Sequence, residues 1–160
     1  MPKLLLFAPC ERVAFGQQDN LACLIAILQG FEVSVISGAL EKQTEESGAQ
    51  STPEISLPIR WTIFTMWRLD KAERGKIFEQ ACQLITPSGK ISLDQVIEFG
   101  HDPKEFQRNT MQVFGFPAFE EGEYTLKLLI GERGKQRKEE ATYPLTVSRK
   151  PDQNSSTDAS

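Results

Sequence analysis

"EEGEYTLKLLIGERGKQRKEEATYPLTVSRK", residues 120–150, contains two runs of alternating polar and apolar residues on either side of a charged, glycine-containing turn. Successive side chains of a β-strand point to opposite faces of its sheet, so every second residue shares a face. Thr125 and Lys127 share the polar face of the first run. The apolar faces comprise Tyr124, Leu126, Leu128 and Ile130 in the first run and Tyr143, Leu145 and Val147 in the second. This pattern predicts a β-hairpin that closes a sheet with one buried face.

The chain before this hairpin is also strand-like and shows almost no helical periodicity. Polar turns separate the segments: "GQQDN" follows the first, Gly30 breaks the second, and "PSGK" joins two segments into a hairpin. The remaining predicted strands lie in residues 3–13, 21–36, 59–69, 76–86, 91–99 and 106–116. We therefore predict an all-β fold, an immunoglobulin-like antiparallel β-sandwich of about 7–9 strands.

Length and composition indicate one domain with two irregular segments. The chain has 160 residues and a mass of 18.0 kDa, which suits a single hydrophobic core. We predict one sandwich domain over residues 1–148. Residues 37–58 are rich in Ser, Glu, Gln and Thr without periodicity, which predicts a long mobile loop, and the polar residues 149–160 predict a disordered tail.

Charge and hydropathy exclude two classes of partner. The net charge is −4 and the isoelectric point is about 5.1, so the chain lacks the basic excess that binding to nucleic acid phosphates requires. The most apolar stretch, residues 21–36, is interrupted by Gln29, Gly30 and Glu32 and falls short of the roughly 18 apolar residues of a membrane span. The sequence therefore predicts no nucleic-acid partner, no membrane association and a cytoplasmic location.

The cysteines, the histidine, the aspartates and the glycine-rich sequences do not indicate a cofactor or metal site. Cys10, Cys23 and Cys82 are widely spaced in apolar runs without a CxxC pair, which predicts buried, reduced thiols. One histidine and scattered cysteines do not give zinc-ligand spacing, and no glycine-rich sequence matches a phosphate-binding loop. The aspartates that could bind calcium are single and separated: Asp19, Asp70, Asp94 and Asp102.

The segment "GEYTL" resembles the tyrosine corner of immunoglobulin-like domains, in which a Tyr near the start of the penultimate strand hydrogen-bonds to the turn before it. Leu126 stands where an antibody domain has its second Cys. The segments "PKLLLFAPCERV", "LIAILQGFEV", "RWTIFTMW", "TPSGK", "FGFPAFEEGEYTLKL" and "YPLTV" together resemble a family of small bacterial proteins of unknown function with immunoglobulin-like sandwiches. The resemblance implies the fold and a bacterial source, and it implies no activity or catalytic residue.

"IRWTIFTMWR", residues 59–68, has bulky apolar side chains on both faces of one strand. Either the loop 37–58 covers the second face, or a bulge shifts the alternation, or the second face is a partner surface. If this is the third strand of the sandwich, it lies beside the penultimate strand. The candidate interface then comprises Phe64, Met66, Arg60, Arg68, Lys127 and Leu129.

Two functional hypotheses follow from these patterns. The first is a non-enzymatic protein-binding or assembly module, which binds a protein partner or forms a homodimer through an outer sheet face and has no catalytic residues. The alternative is a small enzyme or ligand-binding domain with a site at the loop end around His101 and Asp102, because an adjacent His and Asp in a turn could act as an acid-base pair. A pocket with perturbed titratable groups would favour the second, and a flat apolar sheet face the first.

Overall fold

The structure, a computed structural model, describes residues 1–15, 22–34, 56–102 and 104–150. Within these ranges the chain forms strands and no helix. Their bounds are β1 Lys3–Phe15, β2 Ala22–Ile27, β3 Gly30–Ser34, β4 Ser56–Arg68, β5 Phe78–Ile85, β6 Ile91–Phe99, β7 Phe106–Pro117, β8 Gly122–Glu132 and β9 Lys138–Lys150. The predicted loop 37–58 lies outside the described residues except for its last three, which open β4, and the predicted tail lies outside them beyond Lys150.

The strands form two sheets, and the predicted immunoglobulin-like sandwich is confirmed. One sheet has four strands in the order β2-β1-β4-β7, and the other has five in the order β3-β9-β8-β5-β6. In immunoglobulin domains the first, second and fifth strands of the fold share one sheet and the third, sixth and seventh share the other. Strands β1, β4 and β7 take the first set of positions, and β5, β8 and β9 take the second.

One strand pair is parallel, unlike the predicted antiparallel arrangement. β3 pairs with the end of β9, from Gly30 beside Thr146 to Ser34 beside Lys150. A Cβ atom at Gly30 would overlap the backbone carbonyl oxygen of Thr146. Glycine is therefore required at the point where β3 begins and approaches the backbone of β9.

The core lies between the two sheets and is rich in aromatic rings. Trp61, Trp67 and Phe116 from the four-stranded sheet pack against Phe78 and Tyr124 of the five-stranded sheet, and all five side chains are buried. The apolar face predicted for β8 is confirmed, because Tyr124, Leu126, Leu128 and Ile130 are each at most 1% exposed. The two predicted hairpins, β5–β6 and β8–β9, are also present and antiparallel.

A buried polar cluster joins the sheets at the centre of this core. The side-chain oxygen of Gln80 on β5 accepts hydrogen bonds from Thr65 Oγ1 at 2.8 Å, Trp67 Nε1 at 2.9 Å and Asn109 Nδ2 at 3.0 Å. Its amide nitrogen donates to Met111 Sδ at 3.4 Å. Buried polar groups are costly unless bonded, so this satisfied cluster stabilises one relative placement of the two sheets.

The predicted tyrosine corner is formed. The Tyr124 hydroxyl donates a hydrogen bond to the carbonyl oxygen of Glu120 at 3.1 Å and accepts one from its backbone N–H at 3.0 Å. Removal from water raises the pKa of the Tyr124 hydroxyl, so the group stays protonated and able to donate. The turn before β8 is thereby held against the strand that follows it.

Strand β4 is buried on both faces, although only one faces the core. Thr65 and Trp67 point toward Gln80 on the opposite sheet, so by alternation Thr62, Phe64 and Met66 point outward. Phe64 is nevertheless 1% exposed, and its neighbours Ala8 and Cys10 on β1 are at most 4% exposed. None of these three belongs to the core between the sheets, so they form a second, smaller apolar layer.

The end of β1 folds back over this outward face. Cys10 pairs with Thr62, and Arg68 pairs with Phe106. If β1 continued straight beyond Cys10, Phe15 would lie about eleven residues along the sheet from Phe106, which is roughly 36 Å at about 3.3 Å per residue. Phe15 and Phe106 instead line one cleft. The bend lies beyond Cys10, where β2 contributes Ala26 with a positive φ of 51°. The β1–β2 hairpin therefore supplies a cover for Phe64.

This arrangement corrects the expected position of β4. The sequence interpretation placed Phe64 and Met66 on a strip shared with Lys127 and Leu129, but β4 and β8 belong to different sheets. The strand beside β8 is β5. The β1–β2 hairpin and the short β3 precede β4 along the chain, and β4 pairs with β1 and β7 and does not take the position of the third immunoglobulin strand. The predicted strip across both strands is therefore wrong in its geometry.

Removing the Tyr124 hydroxyl should destabilise the fold without changing its shape. We expect Tyr124→Phe to lower the free energy of unfolding by about 1–2 kcal/mol, because the Glu120 backbone groups lose a partner in a partly buried site. Tyr143→Phe is the matched control, since the Tyr143 hydroxyl forms no hydrogen bond with a described residue. Denaturant unfolding measures both, and equal losses for the two variants would contradict the role of the corner.

Truncating Phe64 tests the second apolar layer. We expect Phe64→Ala to cost about 3–5 kcal/mol of unfolding free energy, as for a fully buried ring. Phe114→Ala is the control, because Phe114 lies on the same sheet and is 67% exposed; its cost should stay below about 1 kcal/mol. Similar small losses for both variants would show that the hairpin does not cover β4.

Candidate functional site

The outward face of the five-stranded sheet is covered by none of the strands that the structure describes. We call it the open face. Its side chains alternate with those that face the core, as the register of β5 with its neighbours shows. It comprises Glu79, Ala81, Gln83 and Ile85 from β5, Asp94, Val96 and Glu98 from β6, Thr125, Lys127 and Leu129 from β8, and Glu139, Thr142 and Pro144 from β9.

The centre of the open face is apolar. Ala81 lies between Val96 on β6 and Leu129 on β8 in one row across the sheet. The two larger neighbours leave Ala81 only 2% exposed, while Val96 itself is 47% exposed. An apolar ridge therefore projects from the sheet with part of its surface in water.

Charged and polar pairs surround this ridge. Lys127 Nζ lies 2.7 Å from Glu139 Oε2, and Gln83 Nε2 donates to Asp94 Oδ2 at 3.3 Å. Farther along the sheet, Arg133 Nε lies 3.1 Å from Glu98 Oε1. These side chains are partly exposed to solvent, so each pair contributes little to stability, and both signs of charge are present at the surface.

The structure separates the predicted interface residues. Lys127 and Leu129 lie on the open face, whereas Arg60 and Arg68 are exposed on the four-stranded sheet. Phe64 is buried and Met66 is half-buried beneath the outward side of that sheet. The sequence interpretation did not single out Val96 and Ala81. The sequence nevertheless indicates the position of Val96, because the alternate residues Asp94, Val96 and Glu98 of "ISLDQVIEF" share one side of β6 and place an apolar side chain between two acidic ones.

The loop-end residues do not form an acid-base pair with each other. His101 Nε2 lies 3.8 Å from Glu98 Oε2, and its side chain is 61% exposed. Asp102 Oδ2 lies 2.7 Å from Lys104 Nζ. Asp102 borders a cleft of about 290 Å³ together with Lys104 and Phe106, but His101 does not line it. A catalytic base needs an orienting partner and a nucleophile within hydrogen-bond reach, and the described contacts of His101 provide neither.

The thiols differ from the prediction in one case. All three cysteines are free, and Cys10 and Cys82 are buried as predicted, but Cys23 is exposed. Cys23 lies on β2, which is the outer strand of its sheet and is paired only with β1 among the described strands. Burial raises the pKa of Cys82 to about 12 and also raises that of Cys10, so neither buried thiol is a ready nucleophile.

The described residues hold no group of three or more His, Cys, Asp or Glu side chains that could bind a metal ion. They also include no helix long and apolar enough to cross a membrane. The chain matches no protein-family model, and no curated protein matches its sequence.

Thiol labelling distinguishes the three cysteines. We expect a bulky thiol reagent to modify only Cys23 in the native protein and all three cysteines after denaturation, because burial blocks access and disfavours the thiolate of the other two. Raising the pH through about 8.5, the ordinary range for a thiol, should leave Cys82 unmodified, since its pKa is about 12. Mass spectrometry of the labelled peptides measures this, and native labelling of Cys82 at the rate of Cys23 would contradict the burial.

Proposed function

We propose that the protein is a non-enzymatic protein-binding module that associates with a second copy of itself through the open face. The observation that carries this proposal is the half-exposed Val96, which forms an apolar ridge with Ala81 and Leu129 at the centre of the open face. The outward face of the other sheet is not equivalent, because its central residue Phe64 is already buried. The four-stranded sheet also exposes Leu6, Phe106 and Phe114, but these side chains surround a buried centre, whereas the centre of the open face is itself partly exposed.

The composition of the open face suits a protein interface. Interfaces have an apolar centre and a polar rim, and their centres are poor in charge. Val96, Ala81 and Leu129 form such a centre, and the ion pair of Lys127 with Glu139 lies at its edge. Burial of apolar surface stabilises association by about 25 cal/mol per Å² before the costs of ordering are counted.

Charge favours a second copy over a strongly charged partner. A two-fold contact joins the same surface patch of both subunits, so like charges oppose each other if the patch has one sign. The open face instead carries Lys127 among Asp94, Glu98 and Glu139, and Arg133, just beyond the end of β8, pairs with Glu98. Each subunit can therefore offer a cation to an anion of the other, which an all-acidic or all-basic face could not do.

The other features of the proposal come from composition and from the resemblance. The net charge of −4 disfavours nucleic acid as a partner. Free cysteines support a reducing compartment and hence the cytoplasm, and the resemblance supports a bacterial source. The separate contacts of His101 and Asp102 give the loop-end alternative less support than the open face has.

A charge placed on the ridge tests the association. We expect the wild-type protein to have the mass of a dimer in light scattering coupled to size exclusion, and Val96→Lys to have the mass of a monomer, because each dimer would bury two new ammonium groups. Thr110→Lys is the matched control, since Thr110 is exposed on β7 in the other sheet and makes the same change in charge. It should remain a dimer.

The alternative outcomes are distinct. A wild-type monomer at every concentration would overturn self-association. A dimer that Thr110→Lys disrupts and Val96→Lys preserves would place the contact on the four-stranded sheet and overturn the assignment to the open face. Circular dichroism of each variant confirms that the fold is retained, which the 47% exposure of Val96 leads us to expect.

A further inference from the structure

A second surface feature lies away from the open face, at the point where the β1–β2 hairpin leaves the four-stranded sheet. A cleft of about 180 Å³ opens there between β1, β4 and β7. Its lining includes Glu11 and Arg12 from β1, Arg60 and Thr62 from β4, and Gln112 and Phe114 from β7. An engineered apolar cavity of about 150 Å³ holds a benzene molecule, so this cleft has room for a small molecule of about one ring.

The two arginines of the cleft form no ion pair with a described residue. Arg68, Arg74 and Arg133 each form an ion pair with a glutamate, whereas no described carboxylate lies within ion-pair distance of Arg12 or Arg60. Glu11 borders the same cleft but pairs with neither. Two unpaired guanidinium groups beside one cavity create a positive local potential in a protein of net charge −4.

Arg60 also contacts an aromatic ring of the cleft. Its guanidinium carbon lies 4.8 Å from the centre of the Phe114 ring, over the face of that ring. Stacking occupies the flat side of a guanidinium and leaves the N–H groups on its edge free to donate in the plane. Carboxylates and phosphates bind that edge through two parallel hydrogen bonds.

The backbone around Arg60 is irregular in a way that places it in the cleft. The pairing of β4 with β7 shifts register between Leu57 and Arg60, and Gly115 next to Phe114 has a positive φ of 80°. Bulges of this kind redirect side chains and are common beside binding sites. Trp61 forms part of the wall, and its indole N–H donates to the Gly115 carbonyl oxygen at 3.0 Å, which fixes the backbone of this bulged region.

We propose that Arg12 and Arg60 bind a small carboxylate or phosphate ligand, of about one ring in size, in this cleft. The edge of Arg60 and the guanidinium of Arg12 take the anionic group, and the exposed ring of Phe114 contacts the apolar part of an organic ligand. Glu11 opposes the charge of the ligand and limits its affinity. The site is independent of the open face, so either proposal stands if the other fails.

Nuclear magnetic resonance of the two indole N–H groups provides the test. The Trp61 side chain is in the core, but its indole N–H is bonded to the carbonyl oxygen of Gly115, next to Phe114 of the cleft, and therefore senses a change in that wall. The Trp67 indole N–H lies in the buried cluster with Gln80 and serves as an internal reference. Titration with benzoate and, separately, with inorganic phosphate should shift the Trp61 signal to saturation and leave the Trp67 signal in place. Benzamide, which has the same ring without the charge, should produce no saturable shift.

Substitutions identify the binding groups. We expect Arg60→Gln and Arg12→Gln each to weaken binding roughly ten- to a hundredfold, the usual loss for one charge-assisted hydrogen-bond partner, and Glu11→Gln to strengthen it. Arg68→Gln is the matched control, because Arg68 is exposed on the same strand outside the cleft, and it should bind as the wild type does.

Each outcome decides the proposal. Saturation by benzoate and not by phosphate assigns an organic carboxylate, and the reverse assigns a phosphate group. No saturable shift of Trp61 with either anion overturns the site, and so does an affinity that is unchanged in both Arg12→Gln and Arg60→Gln. Equal binding of benzamide and benzoate would overturn the role of the two arginines.

Discussion

The burial of β4 on both faces is the constraint on which the other surfaces depend. One face of β4 contributes Trp61, Ile63 and Trp67 to the core, and the opposite face buries Phe64 beneath the folded-back hairpin. A strand with bulky apolar side chains on both faces must be covered on both faces, because exposing either row of side chains to water loses its hydrophobic stabilisation. The hairpin provides the second cover, and it thereby removes the centre of this sheet face, Phe64, from contact with solvent.

The hydrogen bonds of Gln80 fix how the two sheets are placed against each other, which apolar contacts alone would specify less strictly. Its side-chain oxygen accepts three hydrogen bonds that come from β4 and β7, while Gln80 itself belongs to β5 on the opposite sheet. A shift of one sheet against the other would leave several of these buried groups without partners, at a cost of about 1–3 kcal/mol for each. The row of Ala81, which points to the opposite side of β5, is held in place by the same registration, so the core fixes the geometry of the open face.

Local patterns predicted the parts of the fold that depend on neighbouring residues, and they missed those that depend on distant ones. The alternation of residues 120–150 and the Tyr124 corner were predicted because a strand face and a turn are encoded within a few residues. The sheet to which β4 belongs was not predicted, because alternation does not reveal the order of strands in a sheet. The additional β1–β2 hairpin also changed which strand is the third of the immunoglobulin arrangement. Cys23 and Val96 were misjudged or overlooked for the same reason: their exposure depends on β2 and β6 being outer strands.

The fold-back also accounts for the position of the arginine cleft. β1 is paired with β4 as far as Cys10 and Thr62, and beyond that point the hairpin departs from the plane of the sheet. A gap must then open between the departing strand and the next residues of β4, and Arg12 and Arg60 are the long side chains on either side of it. Two guanidinium groups repel each other across such a gap unless solvent or an anion lies between them. The bend that covers Phe64 therefore creates, a few residues away, the local positive charge that an oxyanion would neutralise.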